Sequence, residues 1–150
     1  MATASGHLPV RPASKIWNVV LWLIQVSLAV VFVGAGIWKL ATPIVLLAES
    51  MPWMGQVAPG FLYLTAMVDV LLGLGVLLPS LVRIEPALAV TMAYACAAFM
   101  ACAIVFHVFR GEAESTPINF LLFGLALLVA WGRTSKAPLP VRVRRTSAQG

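Results

Sequence analysis

The chain has 150 residues, 61% of them hydrophobic and 10% charged, with a mean hydropathy of +0.98 and a net charge of +5. A soluble domain carries about 25% charged residues, so this composition excludes a solvated globule, and it excludes disorder, collagen and coiled coil as well. Two cysteines are too few for a disulfide framework, no Cys/His cluster has zinc spacing, and basic residues beside apolar runs make no nucleic-acid face, which leaves an all-α integral membrane protein of one domain.

A membrane span needs about 20 mostly apolar residues, because the hydrocarbon is about 30 Å thick and a helix rises about 1.5 Å per residue. Residues 1–15 read as a disordered cytoplasmic tail, and residues 16–133 as a four-helix transmembrane domain. The first span runs from Ile16 to Leu40. Arg11, Lys15 and Val33-Gly34-Ala35 imitate a secretory signal and its cleavage site, but the apolar stretch exceeds the roughly 7–15 residues of a signal core, so the span is read as uncleaved. In the loop that follows, Thr42-Pro43 opens a short helix in the interface with Ile44, Leu47 and Met51 at helical spacing, ended by Pro52. The second span runs from Phe61 to Leu78 and is stopped by Pro79. Pro86–Phe109 and Pro117–Trp131 form the third and fourth, with Glu85-Pro86 and Thr116-Pro117 as N-cap and first helical position. The fourth span is only roughly 22 Å long, which predicts that Trp131 and Arg133 snorkel to the interface or that the bilayer thins locally. Residues 134–150 form a second disordered tail. Arg133, Lys136, Arg142, Arg144 and Arg145 cluster just inside the fourth span, and each basic residue adds about 1 kcal/mol of attraction to anionic lipid.

The positive-inside rule sets the orientation. With the N-terminus in the cytoplasm, the inner segments hold Arg11, Lys15, Arg83, Arg133, Lys136, Arg142, Arg144 and Arg145, and only Lys39 and Arg110 lie outside. Both termini are therefore expected to be cytoplasmic, in a bacterial-type inner membrane, with Trp17 and Trp131 at the inner interface and Trp38 and Trp53 near the outer one.

Small residues mark close helix packing. Ala89, Ala93, Ala97 and Ala101 repeat every four residues in the third span, with Gly34 and Gly36 in the first and Gly73 and Gly75 in the second. The stripe serves either a compact bundle or a homo-oligomer seam. Asp69 falls about eight residues into the second span, roughly 12 Å below its outer end, where a carboxylate costs a few kcal/mol. It must face the bundle interior or a wet cavity, with Thr65 one turn above. It either fixes helix packing or serves a site as proton relay, ligand contact or cofactor contact. Lys39, His107, Asn119 and Glu49 approach one depth near the outer face. With Thr65 and Asp69 they form a candidate polar pocket, in which a Lys39–Asp69 ion pair requires Lys39 to bend inward. Cys96 and Cys102 lie about 9 Å apart along their helix and cannot bridge each other. The sequence shows no metal-ligand spacing, no haem ligands and no nucleophile with a positioned base, so no catalytic residue is assigned.

Gly34-Ala35-Gly36-Ile37-Trp38-Lys39-Leu40 resembles the G-x-x-K-L signature that closes the first helix of DoxX-like membrane proteins. Met67-Val68-Asp69-Val70-Leu71-Leu72-Gly73-Leu74-Gly75-Val76-Leu77-Leu78-Pro79 resembles their second helix, where the acidic position is more often Glu; Asp shortens the reach by one methylene. His107 and Arg133 fit the same pattern. The resemblance implies a four-helix bundle over residues 16–133. Some relatives resemble the small membrane subunit of thiosulfate:quinone oxidoreductase or associate with membrane oxidoreductase complexes; related eukaryotic proteins resemble assembly chaperones for membrane receptors. The expectation is an accessory subunit of a redox or stress-related complex that contacts quinone near Asp69 and Lys39, with no redox centre of its own. An assembly factor for other membrane proteins is the alternative. A small transporter is the weakest reading, since no inverted repeat or broken mid-span helix is present.

Overall fold

The computed structural model describes residues 15–82 and 86–139. Expectations about residues 1–14, 83–85 and 140–150 lie outside it. Among the described residues there is no strand. The helices are α1 (Lys15–Ala41), α2 (Ile44–Ser50), α3 (Trp53–Gln56), α4 (Pro59–Val82), α5 (Pro86–Phe109) and α6 (Pro117–Ser135), with a 3-10 turn at Ala113–Ser115. α1, α4, α5 and α6 are each long and apolar enough to cross a membrane, with mean hydropathies of 2.3, 2.2, 2.2 and 1.4. They pack around the bundle in chain order, and α6 closes back on α1. The end where α1 begins and α6 ends is called proximal below, and the opposite end, which carries α2 and α3, distal.

The apolar residues divide as a lipid-embedded bundle requires. Leu28, Phe32, Leu72, Val76, Ala93, Cys96, Ala97, Leu122, Ala126 and Val129 form one central core, while Val30, Leu71, Val105 and Phe109 point outward and stay exposed. Ala89, Ala93 and Ala97 are buried inside the bundle. Ala101, the fourth member of the stripe, is half-buried, so the first three alanines serve the closing of α5 onto its neighbours.

Three expectations need correcting. Pro79 does not stop the second span, because α4 continues through it to Val82. Pro79 leaves the Gly75 carbonyl without its helical N–H, a break tolerated in membrane helices, and Gln25 of α1 donates to the adjacent Val76 carbonyl at 2.8 Å. Thr116 holds the N-cap position before Pro117 as expected, but its side chain makes no capping bond; its hydroxyl donates back to the Ala113 carbonyl at 2.6 Å. Arg133 does not snorkel. α6 runs four residues past Trp131 to Ser135, giving about 28 Å of helix, and Arg133 turns inward at 3% exposure.

Gly36 marks a close approach between α1 and α4. A Cβ there would stand 2.6 Å from the Ala66 carbonyl oxygen and 2.6 Å from Val70 Cγ2, whereas one on Gly34 meets nothing within 4 Å. The backbone oxygen cannot move aside. Gly36→Ala is expected to lose about 1–3 kcal/mol by forcing the helices apart, and Gly34→Ala to leave the melting temperature in detergent unchanged. Equal melting of the two variants would contradict this packing.

Candidate functional site

The close pass at Gly36 places Lys39, one turn on, beside Asp69, one turn after Ala66. In a helix the side chains lean toward the N-terminus. Lys39 on α1 therefore leans away from the distal end, and Asp69 on the antiparallel α4 leans toward it. They meet: Lys39 Nζ donates to Asp69 Oδ2 at 2.6 Å, with the two residues 9% and 4% exposed. Each neutralises the cost of burying the other. The pair forms without strain in the reach, although Asp is one methylene shorter than Glu.

Above the pair, α2 and α3 lie across the distal end and deliver Trp53. Its ring stands 5.9 Å from Lys39 Nζ, 5.6 Å from Phe106 and 5.8 Å from His107, edge-on to both rings. Phe61 stacks on the far side of Phe106 at 6.0 Å. Leu47, Met54 and Leu62 form a small core that fastens this strap to α4.

Sequence reasoning missed Glu112. α5 ends in a Schellman turn: Gly111 has φ +74°, Glu112 N–H donates to the His107 carbonyl, and Gly111 N–H donates to that of Val108. Only glycine adopts that φ readily. The turn swings Glu112 back over the helix end, where Oε2 accepts from His107 Nδ1 at 2.8 Å and Oε1 from Arg110 Nε at 3.0 Å. A carboxylate only accepts, so Nδ1 carries the proton. Arg110 also donates to Gln56, tying α5 to the end of α3. The glycine just past the third span was the signal that marks this reversal.

These groups surround a cavity of about 860 Å³, walled mostly by apolar side chains such as Phe32, Phe99, Met100 and Phe106. Of the six candidate pocket residues, Lys39, Thr65, Asp69, His107 and Asn119 line it. Glu49 does not: it is exposed on α2, because the buried face of that short helix carries Leu47, and its neighbour Ser50 reaches the cavity instead. Thr65 does not touch Asp69, since its hydroxyl donates to the Leu62 carbonyl at 2.8 Å. Glu112, Glu114 and Trp53 join the lining. Among the described residues no group of His, Cys, Asp and Glu is placed to hold a metal ion. Cys96 is buried against Leu72, while Cys102 is exposed and borders the cavity.

The DoxX-like family model matches residues 23–130, more than two thirds of the chain. This chain belongs to the DoxX-like family. No curated protein and no solved structure matches it. The matched stretch covers most of the bundle and every cavity residue that sequence reasoning proposed, so in this DoxX-like protein the Lys39–Asp69 pair and the His107 end of α5 fall within the family's shared region.

The hydrogen bond from His107, and then the hydrogen bond and charge of Arg110, hold the Glu112 carboxyl below its ordinary value of 4.5. A depressed carboxylate contributes stability above its unfolded value and loses it as pH falls through the folded one. The stability difference between wild type and Glu112→Gln is therefore expected to be constant at neutral pH and to shrink below pH 4.5. Melting temperature in detergent against pH measures it; a difference that persists undiminished to low pH contradicts the assignment.

Proposed function

We propose that this DoxX-like protein is an accessory subunit of a membrane redox or stress-related complex, and that its distal cavity receives the head of a membrane quinone. The observation that carries this reading is an apolar-walled cavity of about 860 Å³ with one buried ion pair on its wall. Ligand pockets of about 300–1,000 Å³ commonly combine apolar walls with a few fixed polar groups. A quinone ring is flat and apolar with two carbonyl acceptors. Lys39 has donors beyond the one given to Asp69, and the Asn119 amide has no side-chain partner among the described residues. Trp53 and Phe106 offer aromatic edges and faces to the ring.

The test is organic extraction of the detergent-purified chain, with titration of a short-chain ubiquinone followed by quenching of the fluorescence that Trp53→Phe removes. Wild type is expected to carry quinone and to quench saturably, and Asp69→Asn to do neither. Wild type without bound quinone or quenching overturns the reading; recurrent co-purification of one unrelated membrane protein in its place favours an assembly factor. In the same reading both termini face the cytoplasm, and the basic segment after α6 lies against anionic lipid. Reporter fusions after Gly150 and at Gln56 are expected to report inside and outside respectively. An external signal from the C-terminal fusion reverses the orientation.

A further inference from the structure

Arg133 has no part in the distal cavity. It lies in the last turn of α6 at the proximal end, 3% exposed. Its Nε donates to Gln25 Oε1 at 2.7 Å and its Nη1 to Asn18 Oδ1 at 2.7 Å, with a longer contact to the Ala137 carbonyl at 3.4 Å. All three acceptors are neutral, and Nη2, fully buried, has none. The Trp22 ring lies 5.4 Å from the guanidinium carbon and offers its face to the charge, but among the described residues no anion meets it. The acidic residues of the described chain are elsewhere. Asp69 is taken by Lys39 and Glu112 by His107 and Arg110, while Glu49 and Glu114 are exposed at the distal end.

The surroundings indicate what the missing anion is. At the same end of the bundle Trp17 and Trp131 pack edge-on at 5.7 Å, and Lys136 Nζ sits 5.2 Å from the Trp131 ring. Paired tryptophans with basic residues mark the headgroup level of a bilayer. Asn18 and Lys136 are exposed there, at the rim of the enclosed guanidinium. We propose that Arg133 binds a phosphate oxyanion, supplied by the headgroup of an anionic phospholipid in the leaflet that meets the proximal end. The planar fork of arginine matches two phosphate oxygens. The Ala137 carbonyl, just past the end of α6, reaches Nη1. Ala137 is buried at 1% exposure and supplies the longest of the three contacts, so displacing it exchanges a weak neutral acceptor for a charged one and opens Nη2.

The experiment is native mass spectrometry of the full chain, released from detergent carrying phosphatidylglycerol, phosphatidylcholine or inorganic phosphate, with melting curves under the same conditions. Wild type is expected to retain phosphatidylglycerol, and Arg133→Gln to retain it roughly ten- to hundredfold less. Asn18→Asp sets a carboxylate against Nη1 from within the chain. It is expected to keep the fold, melt above wild type without lipid and lose the retained lipid. Stabilisation by inorganic phosphate as strong as by lipid supports the phosphate site and assigns its source to solution. Equal retention by wild type, Arg133→Gln and Asn18→Asp overturns the proposal. So does a loss of stability in Glu85→Gln that equals that of Arg133→Gln while lipid changes nothing, since the counter-ion is then the chain's own.

Discussion

Lys39→Met is expected to cost about 3–5 kcal/mol, because it strands the Asp69 carboxylate in a site 4% exposed. For a chain of this length the melting temperature then falls by roughly 6–20 °C. Asp69→Leu should cost less. Lys39 lies near the distal end of α1, and without its partner it can straighten and carry its ammonium toward the headgroups. The double variant Lys39→Met/Asp69→Leu removes both charges, replaces them with apolar side chains of similar reach, and is expected to recover most of the loss. The expected order of melting, lowest first, is Lys39→Met, Asp69→Leu, then the double variant. A double variant that melts as low as the sum of the singles would show that the two residues act independently. The same series bears on function: the double variant restores the fold but not the polar wall of the cavity, so a quinone that still binds to it is held by the aromatic residues alone.

The four spans were legible because hydropathy and length are strong signals in lipid, and the interior position of Asp69 followed from the cost of a carboxylate in hydrocarbon. The limits of the sequence reading are equally physical. Counting depth along the helix put Lys39 above Asp69, because residue counting tracks Cα positions and ignores the N-terminal lean that brings the two side chains together on antiparallel helices. Glu49 was admitted to the pocket on depth, yet a short helix has a face as well as a depth, and Leu47 claims the buried one. Glu112 was passed over because it lies beyond the span; its return over His107 depends on the left-handed turn at Gly111. Arg133 was assigned to snorkelling because α6 was ended at Trp131. Four more residues of helix, together with Gln25 on α1, turn it into the bundle instead.

Gln25 itself drew no notice, one amide in a helix of mean hydropathy 2.3, and its replacement is expected to be among the most damaging in the chain. It is 0% exposed and joins three helices. Its Nε2 donates at 2.8 Å to the Val76 carbonyl and at 2.8 Å to Ser80 Oγ, and its Oε1 accepts from Arg133 at 2.7 Å. The need for it begins at Pro79, which has no N–H for the Gly75 carbonyl one turn before it; the backbone beside that break is where Gln25 donates. Gln25→Leu has nearly the right volume but removes all three bonds. Losing a bond to a charged group costs about 1.5–3 kcal/mol, and neutral bonds within membrane bundles average about 0.6 kcal/mol each. The sum, about 3–4 kcal/mol, corresponds to a melting temperature lower by roughly 6–16 °C. Gln25→Glu separates packing from charge. It keeps the size, accepts from Ser80, and supplies Arg133 with a carboxylate, at the loss of the donor to Val76. It is expected to melt at or above wild type and to need no anion at the proximal end. If Gln25→Leu melts with wild type, the amide is a passenger and Arg133 is held by its other contacts; if Gln25→Glu falls as far as Gln25→Leu, the donor to the proline-broken α4 matters more than the charge on Arg133.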